Sequence, residues 1–262
     1  MRAPDVKAML ERIRELLSSF RLPTLAREMA PAFVKAGRED VLPVLLDVVE
    51  MEAQERYDRR VERLPQASHL PAGKTLDTLE RSRFPRGLLQ KIDHLAQGEW
   101  LESASNVLAF GLPGRGKSHV ACAIGHALVE RGHSVLFTPT FRLVQELLAA
   151  KRDLQLPRAL RRLDRFDLVI LDDIGYVQQS AEEVEVLFTL MAERYERRSL
   201  LVTSNLVFSE WDRIFRNPMT TAAAIDRLVH HSVILEFNVK SYRTDTAQQR
   251  IEAAAEAPQP AE

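Results

Sequence analysis

The sequence predicts an α/β fold in which a parallel-sheet domain with a phosphate-binding loop follows a small all-helical domain. Three observations predict it. Five short apolar stretches rich in β-branched residues alternate with longer helical ones, the pattern of a parallel sheet covered on both faces. The segment "GLPGRGKS", residues 111–118, falls between the first of those strands and a helix. The first 65 or so residues show no strand pattern, only apolar residues at three- and four-residue spacing.

Val6, Met9, Leu10, Ile13, Leu16, Leu17 and Phe20 mark one face of a first helix. Leu22-Pro23 and the segment around Pro31 break the pattern. A second helix begins near Asp40, apolar through Leu46 and Val49, then charged in "EAQERYDRRVERL". From Pro65 to Gly73, "PQASHLPAG" reads as a linker. Strands are expected at 106–110, 134–138, 168–171, 200–203 and 233–237. Thr140 is positioned to cap the helix carrying Val144, Leu147 and Leu148. Ser180 with Glu183 has capping-box spacing, and Ser209 with Asp212 a shorter version. The tail "EAAAEAPQPAE" has too little apolar surface to offset ordering and is expected to be disordered. The expected division is a helical domain over 1–66, a linker over 67–80, the sheet domain over 81–250 and a tail over 251–262.

A chain of 262 residues can bury one good core and hold a smaller domain beside it. The net charge of −1 means that affinity for nucleic acid must come from local patches. The one cysteine, Cys122, excludes an intrachain disulfide framework and reads as a small core residue on the apolar side of a helix. No apolar run approaches the ~20 residues of a membrane span, and the first residues lack a signal peptide's apolar core. A soluble, cytoplasmic protein without membrane contact is expected.

"GLPGRGKS" matches G-x-x-x-x-G-K-[ST], and its strand–loop–helix context is what the mechanism requires. Glycines let the backbone fold around phosphate oxygens, and the following helix adds its positive end. Gly111, Leu112, Pro113, Gly114, Arg115, Gly116, Lys117 and Ser118, with His119 after them, form the expected nucleotide-contacting set. Lys117 can reach β- and γ-phosphates, and the Ser118 hydroxyl can ligate Mg²⁺. ATP and Mg²⁺ are the implied cofactors. A chance glycine-rich turn is the bland alternative, and the acid-tipped strand some 50 residues on argues against it.

That strand, "LVILDD", delivers Asp172 to the sheet edge where ligands of open α/β sheets bind. Asp172 would hold Mg²⁺ through a water; a helix-capping aspartate is its other reading. Asp173 takes the water-polarising position with a side chain one methylene shorter than glutamate. "LLVTSN" brings Asn205 to the same edge, to orient the attacking water or touch the γ-phosphate. Alone, "TSN" is an ordinary turn.

In this order the segments resemble the AAA+ ATPases, in the branch of DnaC-like helicase loaders and IstB-like transposition helper proteins, the IstB-like match being the closer. The resemblance rests on "GEWLESASNVLAFGLPGRGKSHVACAIGHAL", "LVILDDIGY", "TSNLVFSEWDRIFRNP", "AIDRLVHHSVILEF" and "SYR", across nearly the whole chain. It implies a AAA+ P-loop parallel-sheet ATPase domain behind a small all-helical N-terminal domain. It further implies an ATP-dependent homo-oligomer on double-stranded DNA that selects a target and stimulates a cognate transposase. It makes Arg227, in "AIDRLVHH", an arginine finger for a neighbouring subunit's site; an ion pair with Asp226 is the alternative. It makes Arg243, in "SYR", a nucleotide sensor within its own subunit. Little sequence follows Arg243, so any helical lid is expected to be minimal or absent. A helicase loader acting on single strands is the nearest competing function. A P-loop kinase of a small metabolite is a second, and would need an acceptor pocket and a lid.

For DNA contact, Arg56, Arg59, Arg60 and Arg63 share one helical face. Glu52 and Glu55 precede Arg56 and Arg59 by four residues, so the stripe is either a DNA or partner face or a solvated helix with ordinary ion pairs. "RSRFPRG" adds Arg81, Arg83 and Arg86, and a further cluster runs from Arg142 to Arg165. In the resembled branch the helix after the second strand faces DNA, which makes Arg142, Lys151 and Arg152 the preferred contacts. No base-reading motif is present, so binding through phosphates and DNA shape is expected. Trp100 and Trp211 read as packing residues. The short reach of Asp173 predicts slow hydrolysis, raised by assembly.

Overall fold

The computed structural model describes residues 5–175, 180–211, 214, 218–229, 232–239, 241, 242 and 244. The chain divides into two compact units, Met1–Arg63 and Leu64–Glu262.

The first unit is helical. α1 (Val6–Ser19) starts at Asp5, whose carboxylate accepts from the Lys7 amide at 3.0 Å, satisfying one of the free amides of the first turn. Its apolar face buries Met9, Ile13, Leu16 and Leu17 against Ala26 and Ala30 of α2 (Pro23–Lys35) and Leu42 and Val49 of α3 (Leu42–Ser68). Pro31 lies inside α2 and does not end it. The proline removes one helical hydrogen bond, but burial of Ala26 and Ala30 before it and packing of Phe33 and Val34 after it carry the helix through. α3 likewise runs past Pro65 to Ser68, beyond the expected break.

Residues 68–79, expected to be a linker, pack against the second unit's core. Leu70, Leu76 and Leu79 join its apolar cluster, His126 Nε2 hydrogen-bonds the Pro71 carbonyl at 3.1 Å, and His119 Nε2 meets Thr78 Oγ1 at 3.1 Å. The three leucines outweigh the Pro and Gly turn signals around them.

The second unit holds a five-stranded parallel sheet in the order β2–β3–β4–β1–β5. Its strands are β1 (Asn106–Phe110), β2 (Val135–Pro139), β3 (Leu168–Asp172), β4 (Ser199–Ser204) and β5 (Ser232–Glu236), within a residue or so of expectation. Alternate residues serve opposite faces. Val107 and Ala109 pack with α4 (Arg86–Leu95) and α5 (Lys117–Glu130). Leu108 and Phe110 pack with α6 (Thr140–Arg152), α7 (Leu156–Leu163), α8 (Ala181–Arg194) and α9 (Pro218–Val229). Both faces are covered, which is why the strands read as unbroken apolar runs.

Local signals held unevenly. The Ser180–Glu183 box forms, with the Ser180 amide donating to Glu183 Oε2 at 2.6 Å and the Glu183 amide to Ser180 Oγ at 3.3 Å. Thr140 does not cap; it opens α6, and its hydroxyl donates to the Asp172 carbonyl at 3.0 Å. None of α2, α4 and α7 is anticipated as a separate helix by the sequence pattern. Trp100 and Trp211 are buried, each indole donating to a carbonyl, and Cys122 is fully buried, its thiol pushed up to about 12 by desolvation. Asp212, with the expected second capping pair, and the 251–262 tail lie outside the described residues.

Candidate functional site

The strand order brings the C-terminal ends of β3, β4 and β1 side by side. β1 leads into the glycine loop, and the Gly111 amide continues the ladder by donating to the Ser204 carbonyl at 3.2 Å. A Cβ on Gly111 would stand 2.7 Å from the Phe237 carbonyl oxygen, so only glycine lets the loop leave the sheet there. Gly116, at φ 94°, turns the chain into α5 in a conformation that favours glycine. Lys117 is 8% exposed, and its ammonium donates to the Gly111 and Leu112 carbonyls at 2.6 and 3.1 Å. The loop is braced from behind: Arg115 donates to the Phe237 carbonyl at 3.1 Å, and the Tyr242 amide to the Gly114 carbonyl at 2.9 Å.

β3 and β1 are not neighbours; β4 lies between them. Two strand spacings put Asp172 and the loop ~10 Å apart in the sheet direction, which leaves room for phosphates. The Asp172 carboxylate accepts a hydrogen bond from the buried Thr203 hydroxyl at 2.7 Å. The Asp173 amide donates to the same hydroxyl at 2.8 Å. Asp173 has φ 63°, a left-handed conformation that aspartate tolerates better than most side chains. That backbone is a physical reason for aspartate at a position where length alone would suggest glutamate. Asn205 Oδ1 is buried and has no hydrogen-bond partner among the described residues. A Cβ on Gly175 would lie 2.3 Å from that oxygen, so the approach of Asn205 requires glycine.

These groups line a cavity of about 450 Å³, the size of a small-molecule site. Pro113–His119, including Ser118, form one wall, with Asp173, Thr203 and Asn205 across from it. Asp172 is not a lining residue; its carboxylate is bonded to Thr203, which is. The remaining wall was missed by sequence reading: Lys74, Thr78, Leu79, Arg83, Phe84, Val239 and Tyr242. Phe84 meets Phe237 edge-on at 6.0 Å, and the Arg83 guanidinium lies 5.0 Å over the Tyr242 ring. Thr203 and Gly175 were also missed, because only strand order reveals what they touch.

Arg227 lies elsewhere. Its carbonyl is 3.5 Å from Asn106 Nδ2 at the start of β1. Five residues of strand, ~16 Å at ~3.3 Å each, separate that point from Gly111. The guanidinium sits 4.7 Å over the Phe188 ring and donates to the Ala223 carbonyl at 3.3 Å; no ion pair with Asp226 forms. Arg243 falls outside the described residues.

Among the basic residues, Arg56 pairs with Glu52 at 2.5 Å and Arg59 with Glu55 at 2.7 Å. Arg142 pairs with Glu146 at 3.2 Å, Lys151 with Glu185 at 2.6 Å, and Arg81 grips Asp93 through two hydrogen bonds. Arg152, with Arg158, Arg161 and Arg165 of the α7 region, has no ion pair among the described residues. The last three line a groove of about 790 Å³ between α6 and α7.

Comparison with known proteins decides the family. A family model described as "IstB-like ATP binding protein" matches residues 16–250. The chain belongs to the IstB-like ATP binding protein family. This IstB-like chain is 46% identical over 242 residues to a Sinorhizobium fredii protein named as an insertion-sequence ATP-binding protein, covering 91% of this chain and 81% of that one. A Pseudomonas aeruginosa protein named as the ATP-binding protein of insertion sequence IS21 is 33% identical, with 89% of each chain covered. Among solved structures, the DnaC helicase loader superposes with a TM-score of 0.54 at 19% identity, covering 64% of this chain and 98% of that one. AMPPCP-bound DnaA from Aquifex aeolicus gives 0.55 at 16% identity, covering 74% and 59%. At such identities the structures speak for the fold alone: the IstB-like chain has the AAA+ P-loop architecture behind a helical N-terminal region. No helix among the described residues is long and apolar enough to cross a membrane.

Proposed function

We propose that this IstB-like protein is a cytoplasmic, Mg²⁺-dependent ATPase of insertion-sequence transposition. It assembles as a homo-oligomer on duplex DNA, selects the target and stimulates its cognate transposase. The observation that carries the reading is a division of the site. The glycine loop, Asp173 and Asn205 line one cavity, while the Arg227 carbonyl lies at the opposite end of the sheet. A lone subunit then has everything needed to hold ATP and lacks the cation that stabilises its hydrolysis.

In this reading the loop amides and Lys117 hold the β- and γ-phosphates. Ser118 and Asp172 hold Mg²⁺, Asp172 through a water. The donors are hydroxyl and carboxylate oxygens, which suit a hard cation shared with phosphates. No cluster of three or more His, Cys, Asp or Glu occurs among the described residues to hold a metal alone. When bound, Mg²⁺ neutralises charge on the phosphates. Asp173 and Asn205 Oδ1 orient the water that attacks the γ-phosphorus, Asp173 taking its proton as ADP leaves. Arg227 reaches the neighbouring subunit's γ-phosphate, and Arg243 senses nucleotide in its own. The distance of Arg227 from its own loop supports action in trans.

DNA binds through phosphates. Arg152, Arg158, Arg161 and Arg165 form no ion pair among the described residues, which favours the α6–α7 face. Arg142, Lys151, Arg56 and Arg59 would first exchange their present carboxylates for phosphates; Arg60 and Arg63 extend the N-terminal stripe.

Electron microscopy with duplex DNA tests the reading. ATP is expected to give rings or filaments on DNA and ADP is not; unassembled protein in both nucleotides sinks it. Asp173→Asn is expected to keep ATP-dependent assembly and lose about a hundredfold in phosphate release. Unchanged turnover would remove Asp173 from the mechanism.

A further inference from the structure

We propose that Thr203 is a positioning residue whose one hydroxyl sets both acids of the site and thereby the affinity for the metal. The inference rests on the nucleotide-binding reading above and extends it to a buried residue in the cavity wall.

Thr203 is 1% exposed, at the end of β4. The β3–β4 register pairs Leu171 with Val202, so the next residue on each strand brings Asp172 beside Thr203. A hydroxyl has one hydrogen to give and lone pairs to accept with. Here the hydrogen goes to Asp172 Oδ1 at 2.7 Å, and a lone pair takes the Asp173 amide at 2.8 Å. The first bond fixes the Asp172 carboxylate in one orientation and leaves Oδ2 outside it. The second bond ties down the amide of a residue whose backbone is left-handed, a conformation that persists only where the surroundings hold it. The Thr203 carbonyl adds a third tie, accepting from the Ile174 amide at 3.0 Å. The turn after β3 is therefore stitched to β4 at three consecutive residues, with the side-chain stitches both made by one hydroxyl.

Valine in place of Thr203 keeps the shape and the β-branch while removing the hydroxyl. Asp172 then rotates freely and the Asp173 amide is left buried without its partner. Serine keeps the hydroxyl. Groups that orient a metal ligand from behind typically change metal affinity by 10–100-fold.

The test titrates Mn²⁺ by electron paramagnetic resonance into full-length protein holding a non-hydrolysable ATP analogue. Binding of a fluorescent ATP analogue in EDTA is measured alongside. Thr203→Val is expected to weaken Mn²⁺ by ~10–100-fold while nucleotide affinity in EDTA stays within about twofold. Thr203→Ser is expected to stay near wild type in both. Thermal melting checks folding, and Thr203→Ala replaces Thr203→Val in the same comparison if the valine protein does not fold. Wild-type Mn²⁺ affinity in the hydroxyl-free variant overturns the proposal, as does a serine variant as weak as the valine one. A wild-type protein that binds no nucleotide in EDTA would instead overturn the nucleotide site on which the proposal stands.

Discussion

The two ends of the sheet use similar polar residues in opposite ways. At the N-terminal end most of their bonding capacity is taken up within the protein, although Arg194 Nε, Ser199 Oγ and Ser232 Oγ are buried without a hydrogen-bond partner among the described residues. Arg194, 1% exposed, spreads its terminal nitrogens over the carbonyls of Leu163, Phe166, Asp167 and Ser199 at 2.9–3.4 Å. Asp167 accepts from the Ser134 amide and hydroxyl at 2.9 and 2.8 Å and from Arg198 at 2.7 Å. Asn106 binds the Leu200 amide at 2.9 Å and the Leu228 carbonyl at 3.3 Å. At the C-terminal end, Asn205 Oδ1 has no partner among the described residues, and Asp172 keeps one oxygen outside its Thr203 bond. Buried polar groups ordinarily find partners. A cluster that keeps capacity in reserve, on the wall of a cavity, marks where a ligand supplies them. What separates the two ends is the cavity: the spare oxygen of Asn205 borders it, whereas Arg194, Ser199 and Ser232 do not.

Arg227 is the exception that makes the comparison testable, because it lies at the structural end and is assigned a catalytic task. Arg227→Ala is expected to lower DNA-stimulated phosphate release by ~10³-fold, about 4 kcal/mol, with ATP binding by the free subunit unchanged. Mixing Arg227→Ala with Lys117→Ala subunits should restore part of the activity, since some sites then receive an intact loop from one chain and an intact finger from the other. No recovery would return Arg227 to a structural role.

Arg194→Met is expected to break the fold and spare the chemistry. It leaves four carbonyls without their charged donor, a loss of about 3 kcal/mol, to be read by denaturant unfolding. Burial has already lowered the guanidinium to about 10, so the cation is held there only by those acceptors and the nearby acids. Turnover per folded molecule should not change.

The smallest effect belongs to Asp167. Burial pushes its carboxyl up, but the Ser134 hydrogen bonds and Arg198 outweigh that and hold it below the ordinary range. A lowered carboxyl contributes stability that is complete above the ordinary aspartate value of about 3.9. That contribution is lost as pH falls through the lower, folded-state value. Asp167→Asn should therefore be less stable than wild type by about 1 kcal/mol or less at neutral pH, and the gap should close below about pH 4. A gap that persists in acid would assign the effect to packing.

Strand pattern and loop were legible in the sequence because each rests on neighbours along the chain. Leu168–Leu171 read as a strand through apolar content alone, and Gly111–Ser118 read as a phosphate grip through spacing alone. Pro31 and Pro65 misled because a proline's cost is local, whereas the burial of Ala26, Ala30 and Leu64 that overrides it is not. The stretch around Leu70 and Leu79 misled in the same way. The paired arginines show a third limit: Glu52–Arg56 was visible as an i,i+4 pair, but Lys151–Glu185 joins residues on different helices.

By itself, then, the sequence determined the five strands, most of the longer helices and the glycine loop, since helical period, strand composition and glycine spacing are properties of adjacent residues. Tertiary structure alone decided which strand stands between the loop and Asp172, and so that Thr203 holds both acids. It decided too that Arg227 stands a strand's length from its own loop. Those facts depend on the order in which strands pair, and pairing follows from packing two faces at once, which no single stretch of chain records.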